Sequence, residues 1–79
     1  MAIYIKHLDI KKGIKKVIKL NVDASDTIDN VKASAMNKLG IKGQLRLVVS
    51  QELGNGHTLS YYNIKHLDEI LALPINRAI

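Results

Sequence analysis

Residues 25–32 read SDTIDNVK, a stretch that combines helix-capping residue types with the start of an apolar spacing. Thr27 is the best-placed N-cap, because a threonine hydroxyl can accept a hydrogen bond from the free backbone N–H groups of the first turn. Asp29 lies in that turn, where the helix dipole favours negative charge. An apolar stripe follows at helical spacing: Ile28, Val31, Ala35 and Leu39. Since Gly40 suits a helix end, the pattern predicts one amphipathic helix near residues 28–39.

Four other segments show the alternation or the short apolar run that is typical of strands. They are residues 2–8, 17–22, 45–49 and 69–73. The first two are joined by a lysine-rich turn at residues 9–16, so we expect them to be antiparallel neighbours. The order ββαββ predicts an α+β domain in which one sheet face packs on one main helix. The predicted core is Ile3, Ile5, Leu20, Val22, Ile28, Val31, Leu47, Leu53, Leu59 and Ile64.

The length and composition limit the number of domains and the types of protein to which this chain can belong. A chain of 79 residues has room for one domain. It contains no cysteine, which excludes disulfides and thiolate metal sites and suits a reducing compartment. No apolar run approaches the ~20 residues of a membrane span, and the alternating start is unlike the continuous apolar core of a signal peptide. We therefore expect an intracellular protein, cytoplasmic or nuclear, that has no membrane partner.

The sequence offers no evident catalytic equipment. It has no glycine-rich phosphate loop and no acid–base pair at a suggestive spacing. His7, His57 and His66 are scattered, and none has a neighbour at metal-ligand spacing, so we interpret them as surface residues. We expect a protein that is not an enzyme, with no catalytic residue, no metal site and no cofactor.

Several separated motifs resemble ubiquitin and its relatives. They are SDTIDNVK at 25–32, GI at 40–41, LRLV at 45–48 and GHTLSYYNI at 56–64, after a start of the form M-x-I-x-I-K-x-L. The resemblance covers residues 1 to about 73 and implies the ubiquitin-like β-grasp fold, a mixed sheet around one helix with its first and last strands parallel neighbours. It also implies that the hydroxyl of Tyr62 braces a loop backbone. We expect a β-grasp domain at residues 1–74 and a short diverged tail at residues 75–79.

The tail departs from the pattern of the family. Ubiquitin and its conjugated relatives end in Gly-Gly, which the activating and cleaving enzymes thread through narrow channels, whereas this sequence ends in LPINRAI. Ala78 and Ile79 carry side chains that such channels do not readily admit, so we expect a chain that is not conjugated. An alternative is a modifier or precursor whose tail has diverged or is processed.

The resemblance further implies a partner-binding surface. In the family, an apolar patch on the outer face of the sheet receives helices and zinc modules of other proteins, and Leu8 and Val48 match positions in it. Counting without a gap from YNI places residues 70 and 72 in the core and residues 71 and 73 outside; a one-residue slip would reverse both. The predicted patch is Leu8, Val48, Leu71 and Leu73, with Lys6 and Arg46 at its rim. The rim charges would select acidic partners.

A second candidate surface is basic. The net charge is +5, and the chain has ten lysines but only two arginines. Four of the lysines crowd the first turn and its flanks: Lys11, Lys12, Lys15 and Lys16. Such a patch suits nucleic acid or an acidic protein, although readers of duplexes favour arginine forks. We expect a monomer that binds ubiquitin-receptor-type proteins, with RNA binding by a basic ubiquitin-like domain as a further alternative.

Overall fold

The computed structural model describes residues 1–75 of the 79. The described chain forms four strands, one α-helix and one short 3₁₀ helix. They are β1 (Ala2–Asp9), β2 (Ile14–Asn21), α1 (Ile28–Leu39), β3 (Leu45–Val48) and β4 (Glu69–Pro74), with the 3₁₀ helix at Ser60–Tyr62. The helix has the predicted bounds, whereas the ends of the strands differ, most of all at the start of β2.

The four strands form one mixed sheet in the order β2-β1-β4-β3. β1 pairs antiparallel with β2 and parallel with β4, while β3 pairs antiparallel with β4. α1 packs across one face of this sheet and contacts β2 and β3. This is the β-grasp arrangement of ubiquitin-like folds, and the parallel pairing of the first and last strands is confirmed.

The core lies between α1 and the sheet face that it covers, which we call the inner face. All ten predicted core residues are buried. Because side chains alternate along a strand, Ile3 and Ile5 of β1 and Ile70 and Ala72 of β4 all point to this inner face and are fully covered. The core therefore uses one face of the sheet, and α1 does not cover the opposite, outer face.

The start of α1 is held by a neighbouring segment rather than by its own cap residue. Thr27 occupies the predicted N-cap position with an extended backbone, but its hydroxyl makes no capping hydrogen bond. Instead the Ile28 N–H, one of the free donors of the first turn, donates to the carbonyl of His57 at 2.9 Å. The Gly56 N–H donates to Oδ1 of Asp29 at 3.2 Å. The predicted position of the cap is confirmed, and the predicted hydroxyl bond is wrong.

The end of α1 follows the sequence signal closely. Gly40 has φ 68°, a left-handed conformation that glycine adopts without steric cost. Its N–H donates to the carbonyl of Asn37 at 3.3 Å, and the Ile41 N–H donates to the carbonyl of Met36 at 3.1 Å. This pair of bonds is the Schellman motif, which satisfies two of the last free carbonyls and turns the chain towards β3.

β2 is longer than the sequence predicts. It begins at Ile14 rather than at residue 17, because its pairing with β1 continues as far as Asp9 opposite Ile14. The turn is reduced to residues 10–13 and ends at Gly13, with φ 64°. Lys15 and Lys16 are consequently strand residues, not parts of a frayed loop. The alternation of apolar and polar residues could not reveal where β2 begins. Lys15 and Lys16 are both exposed, so neither face of the strand is buried at that end.

Candidate functional site

The outer face of the sheet brings the predicted apolar residues together. β4 lies between β1 and β3, so Leu71 has Lys6 on one side and Val48 on the other. Leu73 is the next outward residue of β4 and pairs with Arg46 of β3. Leu71 and Leu73 are half-buried on this face, while the residues between and before them fill the core. The gapless register predicted for β4 is thus correct.

Leu8 joins this group at the end of β1. It is half-buried and lines a shallow depression of about 190 Å³ together with Leu73, Arg46 and Pro74. Val48 and Leu71 lie one step further along the same two strands. The four predicted apolar residues are therefore contiguous across three strands, and we call Leu8, Val48, Leu71 and Leu73 the outer patch.

The rim of the outer patch differs in charge from the prediction. Arg46 Nε donates to Oε1 of Glu52 at 3.0 Å, and both side chains are about half exposed. Such an exposed pair contributes roughly 0–1 kcal/mol to stability, so a partner can displace it at little cost. Glu52 places a negative charge beside Arg46, and this makes the rim mixed rather than purely basic. Lys6 remains as the basic side chain between Val17 and Leu71.

Two apolar residues extend the exposed surface, and the patch assignment missed both. Val17 pairs with Lys6 on the outer side of β2 and is 51% exposed. Ile10 stands in the turn with 93% of its surface exposed and lines the depression beside Leu8. Alternation along β2 is a signal that could have found Val17, because the neighbouring Ile18 is a core residue. A turn has no periodicity, so no such signal exists for Ile10.

The four lysines of the basic surface are all exposed, but they do not form one patch. Lys11 and Lys12 lie in the turn. Lys15 pairs with Leu8 and stands on the outer side, whereas Lys16 pairs with His7 and stands on the inner side. A groove for a nucleic acid backbone requires basic groups along one track, and the alternation of β2 divides these between two faces.

His7 is not a surface residue as predicted. Only 5% of its surface is exposed, because the alternation that buries Ile3 and Ile5 also points His7 to the inner face. His57 and His66 are exposed, as predicted. His66 is nevertheless engaged, since its Nδ1 accepts the Ala2 N–H at 3.0 Å.

The tyrosines of the GHTLSYYNI segment have structural contacts. The Gly54 N–H donates to the hydroxyl of Tyr62 at 2.8 Å, which confirms the predicted loop brace. Tyr61 stacks on His57 with ring centroids 4.1 Å apart, and both rings are exposed. Tyr62 meets the two rings edge-on, so the cluster lies in the segment after β3 that packs against the start of α1.

The part of the chain that the structure describes contains neither a membrane-spanning helix nor a cluster of metal-ligating side chains. Within residues 1–75, no helix has the length and apolar character needed to cross a membrane. The same residues bring no three metal-ligating side chains of His, Asp or Glu into one group. No family model matches the chain.

Proposed function

We propose that this chain is a ubiquitin-like protein-interaction domain that acts without being conjugated and binds other proteins through its outer patch. The observation that carries the proposal is the contiguity of Leu8, Val48, Leu71 and Leu73 across β1, β4 and β3. The core is formed by the inner face of the same strands, and these four side chains are not part of it. Packing in the core therefore does not explain why they share one face. Apolar groups gathered on a free sheet face are typical of an interaction surface.

The size of the outer patch suits a small, transient contact. Four half-buried aliphatic side chains offer on the order of a few hundred Å² of apolar area, which is less than a stable protein–protein interface buries on each partner. Such a contact has an affinity in the range of roughly micromolar to millimolar. A helix or a small module of a ubiquitin-receptor-type protein has the matching dimensions. The mixed charges of Lys6, Arg46 and Glu52 would set its orientation more than its affinity.

Other features are consistent with a binding module. The chain contains no adjacent pair of glycines anywhere, and conjugated relatives of ubiquitin require such a pair. We assign no catalytic role to any residue that the structure describes. The absence of cysteine is compatible with the reducing cytoplasm or nucleus, where we propose that the domain acts.

The test is the capture of a synthetic ubiquitin-binding helix by the wild-type domain and by a Val48→Asp variant. We expect Val48→Asp to reduce binding at least tenfold, because it places a charge at the centre of an apolar contact. Gln51→Asp is the matched control, since it adds the same charge at an exposed position outside the outer patch. Circular dichroism should show that both variants remain folded.

Three results would count against the proposal. Equal losses from Val48→Asp and Gln51→Asp would indicate a general effect of charge. Unfolding by Val48→Asp would show that this side chain serves the core. Retained binding by Val48→Asp together with loss on changing Lys11 and Lys12 to serine would favour the alternative of a basic, RNA-binding domain.

A further inference from the structure

A cavity of about 290 Å³ lies at one end of the inner face, away from the outer patch. Its walls come from the end of β1, the turn at residues 10–13, the loop that follows α1 and the end of β4. The first hairpin, the loop after α1 and the end of β4 are far apart in the sequence and meet because β1 is central and parallel to β4. The cavity is therefore a product of the fold rather than of one loop.

His7 lines this cavity and is the only buried polar or charged side chain among residues 1–75. The ring nitrogens of His7 make no hydrogen bond to any residue in the described range. Every fully buried side-chain nitrogen in that range has a hydrogen-bond partner. Since the ring nitrogens of His7 have no such partner, they are accessible to solvent. A polar group on the inner face with its hydrogen-bonding capacity turned to a cavity is costly unless water or a ligand satisfies it.

The charges around His7 are mainly positive. Lys11 and Lys12 line the cavity from the turn, and Lys42 lines it from the loop after α1. Asp9 is the one acidic residue of the lining, and its Oδ1 accepts the backbone N–H of Lys12 at 3.2 Å, which keeps that oxygen in the turn. Three lysines against one aspartate give the lining a formal charge of +2 beside the buried His7, and this favours an anion.

Much of the remaining lining of the cavity is apolar. Ile14, Ile41 and Ile75 line it beside the basic residues. From this combination we infer that the cavity binds a phosphate monoester, with the phosphate between His7 and the lysines and the organic group against the isoleucines. A phosphate offers several acceptor oxygens to donors on different elements, and the three lysines with His7 supply such donors from β1, the turn and the loop after α1.

The site is separate from the outer patch and does not depend on the proposed function. Its residues point to the inner face or lie in the turn and the loop after α1, whereas the outer patch lies on the opposite side of the same sheet. Occupation of the cavity would tie the turn, β1 and the loop after α1 together. A ligand that binds only the folded chain would also raise its stability.

The experiment is a titration of the ¹⁵N-labelled full chain with phenyl phosphate at constant ionic strength in a buffer without phosphate, followed by NMR. We expect saturable shifts of the His7 ring and of the backbone amides of Lys11, Lys42 and Gly43, with half-saturation on the order of 1 mM. Inorganic phosphate is the second arm. It should bind at least about threefold more weakly, because it leaves the apolar wall uncovered.

Variants separate the site from general attraction to a basic protein. Lys42→Ser should weaken binding at least about fivefold, and His7→Leu should abolish the saturable shifts. Lys65→Ser is the matched control, because Lys65 is an exposed lysine near Ala2, at the other end of β1. If His7→Leu fails to fold, Lys42→Ser against Lys65→Ser still decides the question.

Each contrary outcome has a definite meaning. Shifts that grow without saturation, or that appear equally at all lysines, would overturn the site. An equal loss of binding in Lys42→Ser and Lys65→Ser would do the same. Equal affinity for inorganic phosphate and phenyl phosphate would overturn the assignment of a monoester, because the isoleucine wall would then contribute nothing.

Discussion

Val31 and Val17 are the same residue type in opposite environments. Val31 lies on α1 with 1% of its surface exposed, whereas Val17 lies on β2 with 51% exposed. Val31→Ala should lower the free energy of unfolding by about 2 kcal/mol, since it removes two buried methyl groups and leaves a small cavity. Val17→Ala should change it by less than about 0.5 kcal/mol. Urea denaturation measures both, and equal effects would contradict the burial assignments.

Asp29 should make the stability depend on pH. The backbone N–H of Gly56, followed by the side chain of Thr27, lowers the pKa of Asp29 below its ordinary value. A carboxyl whose pKa is lower in the folded state contributes stability above its unfolded pKa and loses it as the pH falls through the folded pKa. Asp29→Asn should therefore be less stable than the wild type at about pH 7, and the difference should shrink from about pH 5 to about pH 2. A difference that grows on acidification would contradict this contact.

The residues that sequence reasoning missed were missed for two different reasons. Glu52 meets Arg46 because a tight bend follows β3 and places the Val48 and Glu52 backbones opposite each other. His7 continues an alternation that was visible in the sequence, but its polarity argued for the surface. The alternation of a strand and the polarity of a residue can predict opposite environments. At His7 the alternation of β1 determines the environment, and the side chain is buried.

At the scale of secondary structure elements, β2 forms an open edge of the sheet that α1 partly protects. Met1 and Val22 exchange backbone hydrogen bonds, each of 2.7 Å, so the alternating pattern leaves the carbonyl of Lys19 facing away from β1. The ammonium group of Lys38 on α1 donates to this carbonyl at 2.6 Å. The contact satisfies an edge acceptor that another strand could otherwise use.

Changing Lys38 to methionine tests that contact while keeping most of the apolar stem of the side chain. We expect the free energy of unfolding to fall by less than about 1 kcal/mol, because water can replace the ammonium group at an exposed carbonyl. We also expect a greater tendency to self-associate at high concentration, which analytical ultracentrifugation would measure. Lys32→Met is the matched control on the same helix. Equal association in both variants would show that the edge carbonyl has no special role.

The elements were predictable where the chain carries a local chemical signal. Thr27 and Gly40 bracket α1, and the helix has the predicted bounds. β2 has no such signal at its start, because exposed lysines are compatible with a strand, a turn or a loop. Only the pairing of Asp9 with Ile14 fixes that boundary, and pairing between strands is a tertiary property.

At the scale of the whole molecule, the parallel contact of β1 and β4 generates both candidate sites. It brings Leu71 and Leu73 beside β1 on the outer face, and it brings the end of β4 beside His7 on the inner face. The outer patch could be predicted because the resemblance to ubiquitin-like proteins pointed to Leu8 and Val48, and counting along β4 placed Leu71 and Leu73 on the same face. The cavity could not, because its size depends on how the turn and the loop after α1 close over the end of the sheet.

Conjugation is a property of the whole chain, and its test involves residues 76–79, which lie outside the described range. Given a ubiquitin-activating enzyme and ATP, the purified wild type should form no thioester, since Ala78 and Ile79 carry side chains where conjugated proteins have hydrogen atoms. A variant with both Ala78→Gly and Ile79→Gly is the informative control. A thioester formed only by this variant would show that the activating enzyme accepts the domain and that the tail alone prevents transfer. A wild-type adduct through Ile79 would overturn the proposal of a non-conjugated domain and support the alternative of a modifier with a diverged tail.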